Sequence, residues 1–328
     1  MLDSTDRSAL LDVRGLTTRF ATDRGLVHAV EDVSFSIRPG EAVGLVGESG
    51  SGKSTLLRSL LGLIQAPGRV SSGQVLFRDR DLLQLPEREM RGVRGGQVSL
   101  IFQDPVNAFN PSLTIGDQLR RMLRLHRADE PSDGFDREIV RMLARVGVDA
   151  TGKLNGYAFN FSQGQLQRIM IAAACLAGTP ALLLADEPTT SLDVTIEAQV
   201  LQLLRDLRQE LGLALILVTH NLALVAELCD RVLVMYAGRL VEDGDVYSVF
   251  EAPKHPYTRQ LLQSLPRFPA SGERLEPIAG SVPELLSVAH GCAFAPRCEQ
   301  YIGAICDSEV PALVPASASQ RAACHLYA

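Results

Sequence analysis

The 328-residue chain lacks any apolar run approaching the roughly 20 residues a helix needs to cross a bilayer. Its first twelve residues are polar and acidic, without the hydrophobic centre of a signal peptide, so the expectation is a cytosolic protein that meets a membrane only through a partner. It also lacks positive charge in excess. With 32 Lys and Arg against 38 Asp and Glu the formal charge is −6, which leaves no overall basic field and argues against nucleic acid as a partner. Tandem repeats and long low-complexity tracts are absent as well. What remains is ordinary globular composition, 46% hydrophobic and 21% charged, in a chain long enough for a full α/β domain and an appendage.

The apolar pattern alternates between two periods. Residues 11–46 read as strands, including 33–37, a Pro39-Gly40 turn and the apolar run 42–46. A glycine-rich loop and a helix over 53–63 follow, then a buried strand at 98–102. Residues 115–147 have helical spacing, interrupted at 131–134. A helix over 162–177 starts with Ser162 and Gln165 spaced as a capping box. Strand 181–185, helix 194–211, strand 214–219 and strand 231–236 complete the alternation. In helix 194–211, Ile196, Val200, Leu203, Leu204, Leu207 and Leu211 share one stripe. Such alternation predicts a largely parallel sheet covered on both faces. After residue 250 prolines and short segments take over. The expected organisation is an α/β nucleotide-binding domain over 1–250 with a helical subdomain at about 105–178, and a smaller C-terminal domain over 251–328.

Residues 47–54 read Gly-Glu-Ser-Gly-Ser-Gly-Lys-Ser, the G-x-x-x-x-G-K-[ST] phosphate loop, placed between a strand and a helix as that loop requires. Gly47, Gly50 and Gly52 let the backbone N–H groups of Glu48, Ser49 and Ser51 turn toward phosphate oxygens. The helix that begins near Lys53 and Thr55 points its positive end at the same charge. Lys53 neutralises the β- and γ-phosphates, and the Ser54 hydroxyl is a ligand for Mg²⁺. The run Ala-Leu-Leu-Leu-Ala-Asp-Glu at 181–187 is a buried strand that delivers Asp186 and Glu187 at its carboxyl end, where ligands bind in open α/β sheets. Asp186 suits Mg²⁺, and Glu187 suits a general base for an attacking water.

Further elements narrow this P-loop NTPase. Phe-Ser-Gln-Gly-Gln at 161–165 resembles the ABC signature, Gln103 in Ile-Phe-Gln-Asp-Pro resembles the Q-loop, Ser191-Leu-Asp193 resembles the D-loop, and His220 resembles the switch histidine. The chain is therefore similar to the ATPase subunits of ATP-binding-cassette (ABC) transporters. The resemblance implies a head-to-tail pair of subunits with ATP and Mg²⁺ between them. Ser162, Gly164 and Gln165 would face the nucleotide held by the opposite subunit, with Asp193 nearby. Gln103 would join the Mg²⁺ ligands, and His220 would touch the γ-phosphate. Gln163 replaces the usual first glycine of the signature. If that position is helical, glutamine suits it, and if it needs positive φ, glutamine strains it. Phe20, with His28 as rival, is the candidate to stack on adenine.

His255-Pro-Tyr-Thr258, an expected helix over 259–264, and the tail from Gly291-Cys-Ala-Phe-Ala-Pro-Arg-Cys298 to Cys324-His325 resemble the oligopeptide/dipeptide (and nickel) importer branch. That branch implies peptide cargo, with nickel or another small solute as the alternative. It also implies two membrane permease subunits, a second ABC ATPase subunit in a heterodimer, and an extracytoplasmic solute-binding protein. The chain would then lie at the cytoplasmic face of the cell membrane. A non-transport ABC ATPase and a nucleotide-binding regulatory subunit are the competing classes. Cys175 and Cys229 sit in apolar contexts and are expected in the core. Cys292, Cys298, Cys306 and Cys324, spaced C-x₅-C-x₇-C-x₁₇-C, lack the close pairs of zinc ribbons and suit an iron–sulfur cluster equally well; the resemblance to that branch implies a [4Fe-4S] cluster, with Zn²⁺ or no metal as alternatives.

Overall fold

The computed structural model describes residues 9–149, 153–190, 192–264, 278, 280, 285–286 and 290–328. Two compact units form, one from residues 1–84 with 217–328 and the other from 85–216.

The first unit opens with β1 (Leu11–Thr22), β2 (Gly25–Ile37), β3 (Ala42–Val46), α1 (Lys53–Leu60), β4 (Gly68–Phe77) and β5 (Arg80–Asp81). Antiparallel pairing orders four of these strands β2-β1-β4-β5. Helix α1 stops three residues before the expected 63, because Gly62 adopts a left-handed φ of 59° just past its end.

In the second unit come α2 (Glu87–Val93), β6 (Val98–Ile101), α3 (Pro105–Ala108), α4 (Ile115–His126), α5 (Phe135–Arg145), α6 (Gln163–Leu176), β7 (Leu182–Asp186), α7 (Val194–Leu211) and β8 (Ala214–Val218), where the chain passes back to the first unit. β6 runs parallel to β7, which lies between β6 and β8. Every residue of β7 and β8 is buried, as an apolar run covered on both faces requires. Helices α3 to α6 lie within residues 105–178, the stretch read from sequence as a helical subdomain. α4 and α5 flank a short 3₁₀ turn at Ser132–Gly134, the interruption that Pro131 announced. Ser162 caps α6 through its hydroxyl to the Gln165 amide, and the Gln165 side chain returns to the Ser162 amide, so the expected capping box forms. On α7, Val200, Leu203, Leu204 and Leu207 make the buried stripe, and Gly212 ends the helix at φ 64°.

The chain completes the first unit with α8 (Leu222–Leu228), β9 (Arg231–Tyr236), β10 (Arg239–Asp245), α9 (Val246–Glu251), α10 (Pro256–Gln263), α11 (Ala304–Ser308), β11 (Val314–Pro315) and β12 (Gln320–Ala322). Strand order within this unit is β11-β12-β10-β9-β3, with β3 parallel to β9 and the others antiparallel. α10 begins three residues earlier than expected. Pro256 occupies its first turn, where a missing N–H costs nothing, and His255 Nδ1 accepts the Tyr257 amide as the cap. Cys175 and Cys229 are buried in the core, as their apolar contexts predicted.

The tail is stitched to the sheet by charge as well as by strand pairing. Asp243 on β10, its side chain 2% exposed, accepts from Arg231 Nε at 2.6 Å and Nη2 at 2.8 Å, and from Arg321 of β12 at 3.0 Å. Burial pushes the Asp243 carboxyl up, but the two guanidinium groups outweigh it and hold the carboxyl below its ordinary value. Asp243→Asn is therefore expected to destabilise the fold by about 1–3 kcal/mol, since Arg231, half-buried, loses its two-pronged charged partner and is left with the Ser36 carbonyl and a longer contact to Glu41. The stabilising contribution is present above the unfolded carboxyl's 3.8 and lost as pH falls through the lower folded value. Denaturant unfolding of both proteins between pH 3 and pH 7 (roughly the window set by carboxylate titration) should show the difference narrowing toward the acid end.

Candidate functional site

In the first unit the loop after β3 turns into α1 through residues that only glycine can supply. Gly52 is the N-cap of α1 at φ 101°, and a Cβ there would fall 2.1 Å from the carbonyl oxygen of Ala29. Gly47 has φ 151°, and its Cβ would fall 2.1 Å from the Met235 carbonyl oxygen. Both positions combine left-handed backbone with close approach to another strand. The Gly238 amide donates to the Ser51 carbonyl at 3.0 Å, and Ser51 is fully buried, which fixes the far side of the loop.

Lys53, also buried, folds its ammonium over the loop. Nζ donates to the Gly47 carbonyl at 2.8 Å, the Glu48 carbonyl at 2.9 Å and Ser51 Oγ at 3.3 Å. A buried cation ringed by loop carbonyls, at the positive end of a helix that continues with Ser54 and Thr55, makes this concavity attractive to a polyanion. Tyr257 of α10 accepts the Glu48 amide on its hydroxyl at 2.8 Å, and Arg297 pairs with the Glu48 carboxylate. Neither Tyr257 nor Arg297 was singled out from sequence as a partner of this loop; they lie 209 and 249 residues from Glu48, and no local signal links them to it.

The second unit holds a second group. Asp186 ends β7 and is 3% exposed. Glu187 follows at φ 46°, a left-handed conformation that costs a non-glycine residue of the order of 1–3 kcal/mol. Its carboxylate is held there by Gln103 Nε2 at 3.1 Å and Thr190 Oγ1 at 2.8 Å. Gln103 and Glu187, both selected from sequence, thus meet directly, while Thr190 was missed. Its place three residues after Glu187, with a hydroxyl able to reach back, was the available signal. Ser162 and Gln165 are engaged in their capping box, and Gln163 is the first residue of α6, so the helical alternative for that position holds. A Cβ on Gly164 would meet Ile196 of α7 at 3.0 Å. Asp193 caps α7 by accepting the Ile196 amide at 2.9 Å, and Ser191 lies outside the described residues.

His220 follows β8 in the first unit and is exposed. Also in that unit, the ring of Phe20 lies against the Gly68 backbone, where an added Cβ would fall 2.4 Å from it. His28 is buried with Nδ1 2.9 Å from Glu31 Oε2.

Cys292, Cys298, Cys306 and Cys324 line one small pocket together with His325. Convergence of residues spread over a third of a hundred positions is as the sequence anticipated; a finished ligand set is not. Among the described residues no group of three or more His, Cys, Asp or Glu is arranged to hold a metal ion. All four are free thiols; burial pushes Cys292 up to about 11 and raises Cys298 and Cys324, which favours the protonated form. The [4Fe-4S] or zinc expectation therefore has no preformed site behind it. No helix among the described residues is long and apolar enough to cross a membrane.

Two stretches of the chain match models of known families. Residues 30–190 match the family model "ABC transporter", and residues 241–306 match "Oligopeptide/dipeptide transporter, C-terminal region". The oligopeptide transport ATP-binding protein OppD of Escherichia coli is 47% identical over 304 residues, covering 92% of this chain and 89% of that one. The dipeptide transport ATP-binding protein DppD of the same organism is 43% identical over 318 residues, covering 97% and 96%. Among solved structures, a dimer of the ATP-binding cassette MJ0796 in a post-hydrolysis state, bound to ADP and Pi, matches 72% of this chain and 98% of that one with a TM-score of 0.64 and 25% identity.

The glycine geometry of the loop generates a direct test. Gly52→Ala is expected to cost about 1–3 kcal/mol of stability and to abolish tight binding of a nucleoside triphosphate, because the new methyl group must displace the Ala29 carbonyl. Thermal unfolding and titration with a fluorescent ATP analogue measure the two effects separately.

Proposed function

The chain belongs to the ATP-binding subunits of ABC transporters, in their oligopeptide/dipeptide branch, and from that membership we propose that it binds and hydrolyses ATP to power the uptake of di- and oligopeptides. The observation that carries the proposal is the phosphate loop: glycine-shaped backbone running into α1, with the buried Lys53 ammonium gathered over it. On ATP binding the Lys53 ammonium exchanges its loop carbonyls for the β- and γ-phosphate oxygens, and loop amides beyond Glu48, whose own amide is held by Tyr257, complete the cradle. Ser54, Asp186 and Gln103 would hold Mg²⁺, and hydroxyl, carboxylate and amide oxygens are the hard donors that ion prefers; bound there, it would offset charge on the β- and γ-phosphates.

Glu187 takes the general-base role. Its constrained backbone and its hydrogen bonds from Gln103 and Thr190 fix the direction of the carboxylate, which supports orientation of the lytic water. His220 would contact the γ-phosphate. Ser162, Gly164 and Gln165, at the amino end of α6, would close over the nucleotide of a second ATPase subunit, with Asp193 at the same junction. Phe20 is the proposed adenine platform. The working assembly would be a heterodimer of ATPase subunits on two permease subunits at the cytoplasmic face of the membrane, fed by an extracytoplasmic binding protein. The proposed domains are 1–250 for ATP and 251–328 for the C-terminal region. For that region a [4Fe-4S] cluster, with zinc as alternative, rests on donor chemistry alone, four soft thiols around one pocket. Iron, sulfide and zinc analysis of anaerobically purified protein decides it.

Two substitutions test the ATPase assignment. Glu187→Gln keeps the shape of the side chain and removes the base, so ATP binding should persist while turnover falls by about 10²-fold or more. Size-exclusion chromatography with ATP should then show a stable pair of ATPase subunits, and undiminished turnover would refute the role. Lys53→Ala should abolish ATP binding, measured by equilibrium titration, because the only side-chain cation of the loop is gone.

A further inference from the structure

An acidic residue inside an anion-binding loop is an electrostatic contradiction, and the first unit resolves it from far away in the chain. Glu48 is the second residue of the phosphate loop. Its two carboxylate oxygens accept from Arg297, Nη1 to Oε2 at 2.8 Å and Nη2 to Oε1 at 3.0 Å, in a two-pronged pair. The Arg297 side chain is 6% exposed. Its Nη1 also donates to the Tyr236 hydroxyl at 3.2 Å, and the guanidinium carbon lies 5.8 Å from the Tyr236 ring centre and 5.9 Å from that of Phe294.

The same loop residue is gripped at two further points. Its amide donates to Tyr257, and its carbonyl accepts from Lys53. Tyr257 is itself fixed. Tyr236, Tyr257 and Phe294 pack as a trio with ring centres 4.6 to 5.4 Å apart, and the buried Glu242 carboxylate accepts the amides of Lys254 and His255 just before α10. Arg297 sits in the 3₁₀ turn Ala295–Arg297 of the C-terminal tail, directly before Cys298.

We infer that Arg297 is a positioning residue for the phosphate loop, through which the C-terminal region sets affinity for the triphosphate. It neutralises the Glu48 carboxylate, which otherwise repels the phosphates, and it fixes the loop residue whose carbonyl holds Lys53 until phosphate oxygens replace it. This inference rests on the assignment of loop 47–54 to the triphosphate. It predicts a specific pattern rather than a general loss. Arg297→Ala should raise Kd and KM for MgATP by about tenfold or more while kcat stays within about twofold, and should leave binding of adenosine, which has no phosphate, unchanged.

The decisive comparison is a cycle of Arg297→Ala, Glu48→Gln and the double variant, read by MgATP titration and steady-state hydrolysis. Removing the Glu48 charge in the Arg297→Ala background should restore most of the lost affinity, because the uncompensated carboxylate is then gone. Binding of MgATP by Arg297→Ala within twofold of wild type, or an equal loss with and without Glu48→Gln, overturns the inference. If Arg297→Ala lacks a cooperative thermal transition, Arg297→Gln takes its place: it keeps a polar side chain with some reach and loses the charge, so a several-fold loss relieved by Glu48→Gln supports the inference, and no loss overturns it. Lys53→Ala, run alongside, separates the premises. If that variant binds ATP normally, the phosphate-loop assignment fails; if it loses binding while Arg297→Ala does not, only the role of Arg297 fails.

Discussion

The constraint on which this protein depends is the close passage of backbone past backbone at Gly47 and Gly52. Each lies where a single added carbon would sit 2.1 Å from a carbonyl oxygen of another strand. That contact carries the chain out of β3 and into α1 at a left-handed residue and leaves the Lys53 ammonium gathered over the loop carbonyls. An anion site made this way is a property of the main chain. Side chains tune it, but no choice of side chain could create it without the glycines.

A second unit meets a different demand with the opposite device. Glu187 is a large residue held at φ 46°, where glycine would be at ease. Gln103 and Thr190 hydrogen-bond its carboxylate, and the buried strand β7 anchors the residue before it, which helps to hold that conformation. Glycine relaxes the backbone where the ligand must approach; local strain fixes a carboxylate where direction matters. Both solutions follow from the same limited map of backbone angles.

The tail shows how an appendage becomes part of a nucleotide domain. β12 adds to β10, Asp243 binds arginines from both β9 and β12, and Arg297 and Tyr257 reach the phosphate loop. Its four cysteines gather on one pocket without forming a ligand set, so what the spacing promised in chemistry the geometry supplies only as proximity.

Local features were legible in the chain itself. The buried strands 182–186 and 214–218, the α6 capping box, the helix break at Pro131 and the phosphate loop all rest on interactions within a few residues, and such interactions leave their pattern in sequence. The early start of α10 was missed because its cap, the His255 ring, is not among the usual capping side chains. What only the folded molecule decided is the set of pairs with no local signature: Thr190 on Glu187, Tyr257 on the Glu48 amide, and Arg297 on the Glu48 carboxylate. The last two join residues more than two hundred positions apart, and for these composition and periodicity are silent, since a hydrogen bond or ion pair between distant segments exists only once the strands between them have set their register.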